Sequence, residues 1–298
     1  MPNSKLKNYL HLHLIVFIWG FTAVLGKLIT LDALPLVWYR MLIAAALILV
    51  YIRVKKTSLK INKKQGITML IAGIVIALHW VTFFKAIKVS NVSVALATLS
   101  TAAFFTAIVE PFWYKRKVIW YELVFGVVVF LGLLVIFKLD TTYIWGITYA
   151  LISAFLAVIF TLINGKLTKV VRPTVITFYE FVAGVGLLTI YLAVNQKFTL
   201  DFFQLSASDW GYMAILTSVC TAYAFIASVE VMKYISPYTV MLTTNLEPVY
   251  GIILAFIILG DSEKMNPLFY LGGIIILATV VLNGVIKNRQ KVKKDRRA

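Results

Sequence analysis

The stretch Tyr234-Ile-Ser-Pro-Tyr-Thr-Val-Met-Leu-Thr-Thr-Asn-Leu-Glu-Pro-Val-Tyr250 decides how this chain is read. It reads as a helix starting at Pro237, because proline suits a helix start, where its missing N–H would have no partner. Ten residues on, at about 1.5 Å per residue, Glu247 falls about 15 Å along the helix. A bilayer hydrocarbon core is about 30 Å thick, so that depth is close to its midplane. A carboxylate there costs at least about 2.5 kcal/mol and must face protein or water, not lipid. Pro248 follows at once, removes one backbone donor and loosens the helix at the same depth.

The composition supports a membrane setting. Of 298 residues, 61% are hydrophobic and only 14% are charged. Soluble domains carry about 25% charge and could not hide so much apolar surface. The net charge of +17 invites a nucleic-acid reading. The basic residues instead gather in short loops and the tail, where they orient membrane proteins and meet anionic lipid. No nucleic-acid partner is expected. The single Cys220 excludes an internal disulfide and any multi-cysteine metal site. Neither a His-Glu-x-x-His motif nor a Gly-x-Ser-x-Gly elbow occurs. The sequence therefore points to no enzyme, no cofactor and no metal.

Ten apolar segments of spanning length can be marked, at roughly 9–30, 34–52, 66–86, 91–113, 118–138, 143–167, 173–194, 209–232, 237–259 and 266–286. The first follows Lys5 and Lys7 and lacks a small-residue cleavage site, so it reads as a retained helix. Lys/Arg-rich and Lys/Arg-poor connections alternate. Twenty-two basic residues fall on the side of the two termini and six on the other, with Arg40 inside a helix. This bias predicts cytoplasmic N- and C-termini of a multi-pass inner-membrane protein.

The two halves resemble each other. A shift of 145 aligns Lys88–Phe105 with Lys233–Tyr250, placing Thr98 on Thr243 and Ser100 on Asn245. A shift of 140 places Trp38-Tyr39-Arg40 on Phe178-Tyr179-Glu180. Five helices per half is an odd number, so the second half enters the membrane from the opposite side. The expected fold is an all-α integral membrane protein, with ten transmembrane helices in two inverted five-helix repeats. The first repeat is expected over 1–140, the second over 141–286 and a basic cytoplasmic tail over 287–298.

With Trp19-Gly20, Pro35 through Arg40, Lys85 through Ser90, Val231 through Pro237, Glu247-Pro248-Val249 and the acidic loop Gly260 through Glu263, the chain resembles the EamA-type branch of the drug/metabolite transporter superfamily. It departs from the family pattern at Ala103, where a proline matching Pro248 is usual, and at Lys115-Arg116, where an acidic residue is common. The resemblance implies a small-metabolite carrier, often an exporter. Its cavity would be lined mainly by the first, third, fourth, sixth, eighth and ninth helices.

Four ionisable residues lie within the expected spans: Arg40, Glu110, Glu180 and Glu247. Glu247 is the main substrate-binding candidate, able to carry a coupling proton or to pair with a substrate amine. Thr244 and Asn245 share its depth, and Ser100 and Thr101 stand at the matching level of the first half. His79 and Trp80 in the third helix, Trp19 in the first and Tyr223 in the eighth complete the candidate lining. Each has a packing explanation as well: a satisfied core histidine, aromatic filling, or hydroxyls bonded to the preceding turn. Arg40, near the outer face, and Glu180, near the inner face, are mirrored candidates for gating. Glu110 is expected to pair with Lys115 or Arg116.

Together these observations predict a secondary transporter of a small metabolite, such as an amino acid or related compound, an exporter working by alternating access. Its partners would be that small molecule, the lipid bilayer and, as the candidate coupling ion, the proton. A non-transporting receptor or assembly subunit is the alternative. Oligomeric state leaves no mark in the sequence.

Overall fold

A computed structural model describes residues 2–115, 117–137, 141–235, 237–244, 246–265 and 267–295. The described residues form helices and no strand. In chain order they are α1 (Pro2–Leu28), α2 (Ala33–Val54), α3 (Lys63–Val89), α4 (Val92–Leu99), α5 (Ala102–Tyr114), α6 (Trp120–Phe137), α7 (Ile144–Leu167), α8 (Pro173–Val194), α9 (Ala207–Thr217), α10 (Ala224–Val231), α11 (Pro237–Thr244), α12 (Glu247–Leu259) and α13 (Pro267–Asp295). A π-helical turn, Ser218–Tyr223, joins α9 to α10. Three crossings are therefore interrupted: α4–α5, α9–α10 and α11–α12. Seven segments among the described residues are long and apolar enough to span a bilayer, and α6, α11–α12 and α13 bring the helical segments to ten.

Local chemistry sets several boundaries. Asn62 and Gln65 form a capping box at the start of α3, with Asn62 Oδ1 accepting from the Gln65 N–H at 2.9 Å and Gln65 Oε1 accepting from the Asn62 N–H at 3.0 Å. Asn91 Oδ1 accepts from the Val94 N–H at 2.8 Å and caps α4. Pro173 opens α8 at a position where its missing donor costs nothing. The last helix runs through the basic stretch to Asp295, beyond the expected end of the apolar segment.

The repeat is written in the backbone. Shifting numbers by 145 carries α4 onto α11 and α5 onto α12, bound for bound. The break between them keeps the same bonding: Thr101 N–H donates to Thr98 O at 3.1 Å, and Leu246 N–H to Thr243 O at 3.0 Å. Shifting by 140 carries α2 onto α8, each of 22 residues. Both end in a residue of positive φ, Lys56 at 48° and Gln196 at 51°, which turns the chain out of the helix.

Packing follows the same symmetry. α2 lies on α8, α6 on α13, α4 on α12 and α5 on α11. α1 packs along α11 and α12, as α7 packs along α4 and α5. Glycines permit the closest approaches: a Cβ on Gly20 would stand 2.9 Å from the Gly251 nitrogen, between α1 and α12. The buried core runs through α1, α2, α3 and α8, while large apolar side chains such as Val194, Ile190, Ile257 and Ile274 face outward. Such an exterior suits hydrocarbon rather than water. The protein is a multi-pass membrane protein of ten helical segments in two repeats.

Candidate functional site

A central cavity lies where the interrupted crossings meet. It is lined from α1 (Trp19, Thr22), α3 (His79, Trp80, Phe83), the α4–α5 break (Leu99, Ser100, Ala102), α7, α10 and the α11–α12 break (Thr244, Glu247, Pro248). These are the six helices that the resemblance implied. Arg40 adds α2 as a seventh contributor.

Glu247 is buried at the first residue of α12, not in mid-helix as its spacing from Pro237 suggested. Leu246 lies in a turn before it, so Glu247 is a helix start, where the positive end of the backbone dipole favours a carboxylate. Thr244 reaches the cavity wall, with its hydroxyl bonded back to Val240 O at 2.9 Å. Asn245 lies outside the described residues. Ser100 also lines the cavity, its hydroxyl 3.4 Å from Leu96 O. Thr101 does not, and its hydroxyl bonds to Thr98 O at 2.8 Å.

Arg40 is 2% exposed and sits at the cavity, not in a layer outside it. Its guanidinium carbon stands 3.8 Å over the Trp80 ring, a cation–π contact. Nε donates to Thr221 Oγ1 at 2.7 Å. The π-helical turn presents Thr221 for this bond, since its hydroxyl donates five residues back to Leu216 O at 2.6 Å. Nη1 is buried with no hydrogen-bond partner among the described residues. Arg40 and Glu247 act on each other electrostatically, yet no hydrogen bond or ion pair joins them. One cavity thus holds two opposite, separated charges.

His79 faces the cavity with one nitrogen already held. Nδ1 lies 2.9 Å from Ser153 O, a geometry in which the ring N–H donates, and 2.8 Å from Ser153 Oγ. Trp19 and Trp80 form aromatic walls with Phe83, Phe160 and Phe225. Tyr223 lies away from the cavity lining, half-exposed, with its hydroxyl 3.0 Å from His11 Nε2. Glu180 is fully buried behind the lining and meets it through Asn164, whose Nδ2 donates to Glu180 Oε2 at 3.4 Å. Glu110 is buried near the end of α5 and does not line the cavity. The sequence reading had passed over Asn164, Thr22 and Thr221. A lone Asn in the apolar run 144–167 was the available signal, while Thr221 had none, because a π-turn leaves no pattern in sequence.

Two hydrogen-bonded clusters tie the helix ends opposite the termini. Asp209, at the start of α9, accepts from the Thr30 N–H at 2.7 Å, from Thr30 Oγ1 at 2.6 Å and from Ser206 Oγ at 2.8 Å. Lys88 Nζ donates to Ile29 O beside it. Glu263 accepts from the Ser93 N–H and Ser93 Oγ, both at 2.9 Å, and so caps α4 from the α12–α13 connection. Toward the termini the lining continues to Met232, just past α10, and to Val240 in the middle of α11.

Comparison with known proteins agrees with this architecture. A transporter of Archaeoglobus fulgidus, itself uncharacterised, is 25% identical over 288 residues, covering 94% of this chain and 97% of that protein. The transporter YxxF of Bacillus subtilis is 22% identical over 233 residues, covering 75% of this chain and 71% of that protein. A solved crystal structure shares the fold with a TM-score of 0.71 at 13% identity, covering 95% of this chain and 98% of that one. The family model for EamA-like transporters matches twice, over residues 6–138 and 144–285. With that match covering both repeats of the fold, the chain belongs to the EamA-like transporter family.

Proposed function

We propose that this protein is a secondary carrier of zwitterionic small metabolites, amino acids with an apolar side chain, working as an exporter by alternating access. The observation that carries the reading is the pair Arg40 and Glu247, buried in one cavity and unpaired with each other. An amino acid brings its own carboxylate and ammonium. The carboxylate meets Arg40 Nη1, which lacks a partner among the described residues. The ammonium meets Glu247. The aromatic walls take the side chain. Binding then satisfies groups that would otherwise stay buried at a cost.

The basic-loop bias supports an inner-membrane protein with cytoplasmic termini. In that orientation the lining at Met232 and Val240 faces the cytoplasm, and the Asp209 and Glu263 clasps close the far side. A carrier resting in this state loads from inside, as an exporter does. Residues 1–140 and 141–286 are the proposed rocking repeats, with 287–298 as a basic tail.

The test is counterflow in proteoliposomes loaded with neutral amino acids. Labelled leucine or phenylalanine should exchange. The matching 2-oxo acid lacks the amine and the methyl ester lacks the carboxylate, so neither should compete. Exchange of no amino acid would overturn the reading, and binding without flux would favour a receptor.

A further inference from the structure

The strongest unexplained chemistry lies beside the cavity, between α7 and α8. Glu180, Asn164 and Thr177 are each fully buried. Glu180 Oε1, Asn164 Oδ1 and Thr177 Oγ1 have no hydrogen-bond partner among the described residues. All three are oxygens. Thr177 and Glu180 are three residues apart on α8, so they share a face of the helix. Asn164 and Glu180 are joined by the 3.4 Å contact, a long one. No Lys or Arg pairs with Glu180 among the described residues.

Buried polar atoms are nearly always satisfied, so a group of orphans is a candidate place for a bound water or ion. The kind of ligand follows from the atoms. Three acceptor oxygens with one carboxylate require a positive partner that several oxygens can surround. A water could bond two of them but would leave the carboxylate charge uncompensated at depth. A proton on Oε1 would let it donate to one of the other two oxygens and still leave the third without a partner. A divalent ion needs more acidic ligands, and no group of three His, Cys, Asp or Glu occurs among the described residues.

We propose that Glu180, Asn164 and Thr177 form a monovalent-cation site of sodium size on α7 and α8. The site stands apart from the Arg40–Glu247 pair and holds whether or not the cargo is an amino acid. Gly73 lets α3 close on the α8 backbone at this level: a Cβ there would fall 2.1 Å from the Glu180 carbonyl oxygen. Asn164 also lines the cavity, so a cation bound behind it is linked to what binds in front.

The experiment is thermal melting of the purified full-length protein without any cargo. Sodium chloride replaces choline chloride at constant ionic strength and pH. A ligand of the folded state stabilises by mass action, so sodium should raise the melting temperature saturably. Glu180→Gln should abolish that rise. Thr177→Val keeps the shape, removes one oxygen and should raise the half-saturating sodium concentration about tenfold or more; it decides the matter if Glu180→Gln does not fold. An equal rise in choline, a rise retained in Glu180→Gln, an unchanged half-saturating sodium concentration in Thr177→Val, or a response to pH alone would overturn the site.

Discussion

Arg40 Nε donates to Thr221 Oγ1 at 2.7 Å, and this bond ties α2 of the first repeat to the π-helical turn of the second. It aims the guanidinium across the Trp80 face and leaves Nη1 for a ligand. Thr221→Val keeps the shape and removes the acceptor. Arg40 would lose its orientation, and the half-saturating cargo concentration should rise about tenfold, equivalent to about 1.4 kcal/mol. Counterflow titration with the amount of folded protein held equal measures it. Unchanged saturation would remove Thr221 from the positioning of Arg40.

Glu247→Gln keeps shape and hydrogen bonding while removing charge. If Glu247 pairs with the cargo ammonium, binding and exchange should weaken together by about tenfold or more. Loss of pH-driven net uptake with exchange preserved would instead make Glu247 the carrier of a coupling proton. Uptake and counterflow in the same proteoliposomes separate the two, and near-normal rates in both would sink the site assignment.

The Asp209–Thr30 clasp should hold the far side shut. Asp209→Ala removes three hydrogen bonds to the carboxylate and keeps the backbone N–H bond to Ser206 Oγ that caps the helix start. Each such bond contributes about 1 kcal/mol, so the closed state should lose a few kcal/mol relative to the open one. Cysteines introduced at the cavity-lining positions Thr22 or Ser100 should label faster from outside in the variant. Identical labelling would mean that the clasp supports folding rather than closure.

Gly20→Ala should disturb the α1–α12 contact, where the new Cβ would sit 2.9 Å from backbone nitrogen. Overpacking of this kind costs about 1–3 kcal/mol. Gly186→Ala meets nothing within 4 Å and serves as the control. Melting temperatures of the two variants, expected to fall for Gly20→Ala and hold for Gly186→Ala, are the comparison.

Reporter fusions test the orientation. Fusions after Ala298 and within 53–64 should report cytoplasm, and one within 261–266 should report the exterior. An external C-terminal reporter would reverse the direction assigned to the cavity.

Hydrophobic runs, loop charge and two numerical shifts were enough to specify the ten-segment, two-repeat architecture, because bilayer thickness sets helix length and an odd helix count inverts the second half. The matches of α2 to α8 and of α4–α5 to α11–α12 follow those shifts. Even the break between α4 and α5, which has no proline at Ser100–Thr101, has its partner between α11 and α12. Its hydroxyl-rich residues bond back to the preceding turn and supply part of what Pro248 supplies in the other half. The sequence also marked Glu247, Trp19, His79 and Trp80 as candidates, since polar or bulky groups at mid-depth must face protein.

Only the tertiary structure decided which of these meet. Arg40 stands in the first repeat and Glu247 in the second, and spacing along a chain carries no information about distance across a bundle. Arg40 therefore read as an outer gate until α2 packed on α8 and the π-turn offered Thr221. Tyr223 looked equal to Trp19 in sequence, but the same π-turn leaves it beside His11 and away from the cavity lining. Glu180, Asn164 and Thr177 became a group only when burial left their oxygens without donors, a property of the surroundings that no single position in the sequence contains.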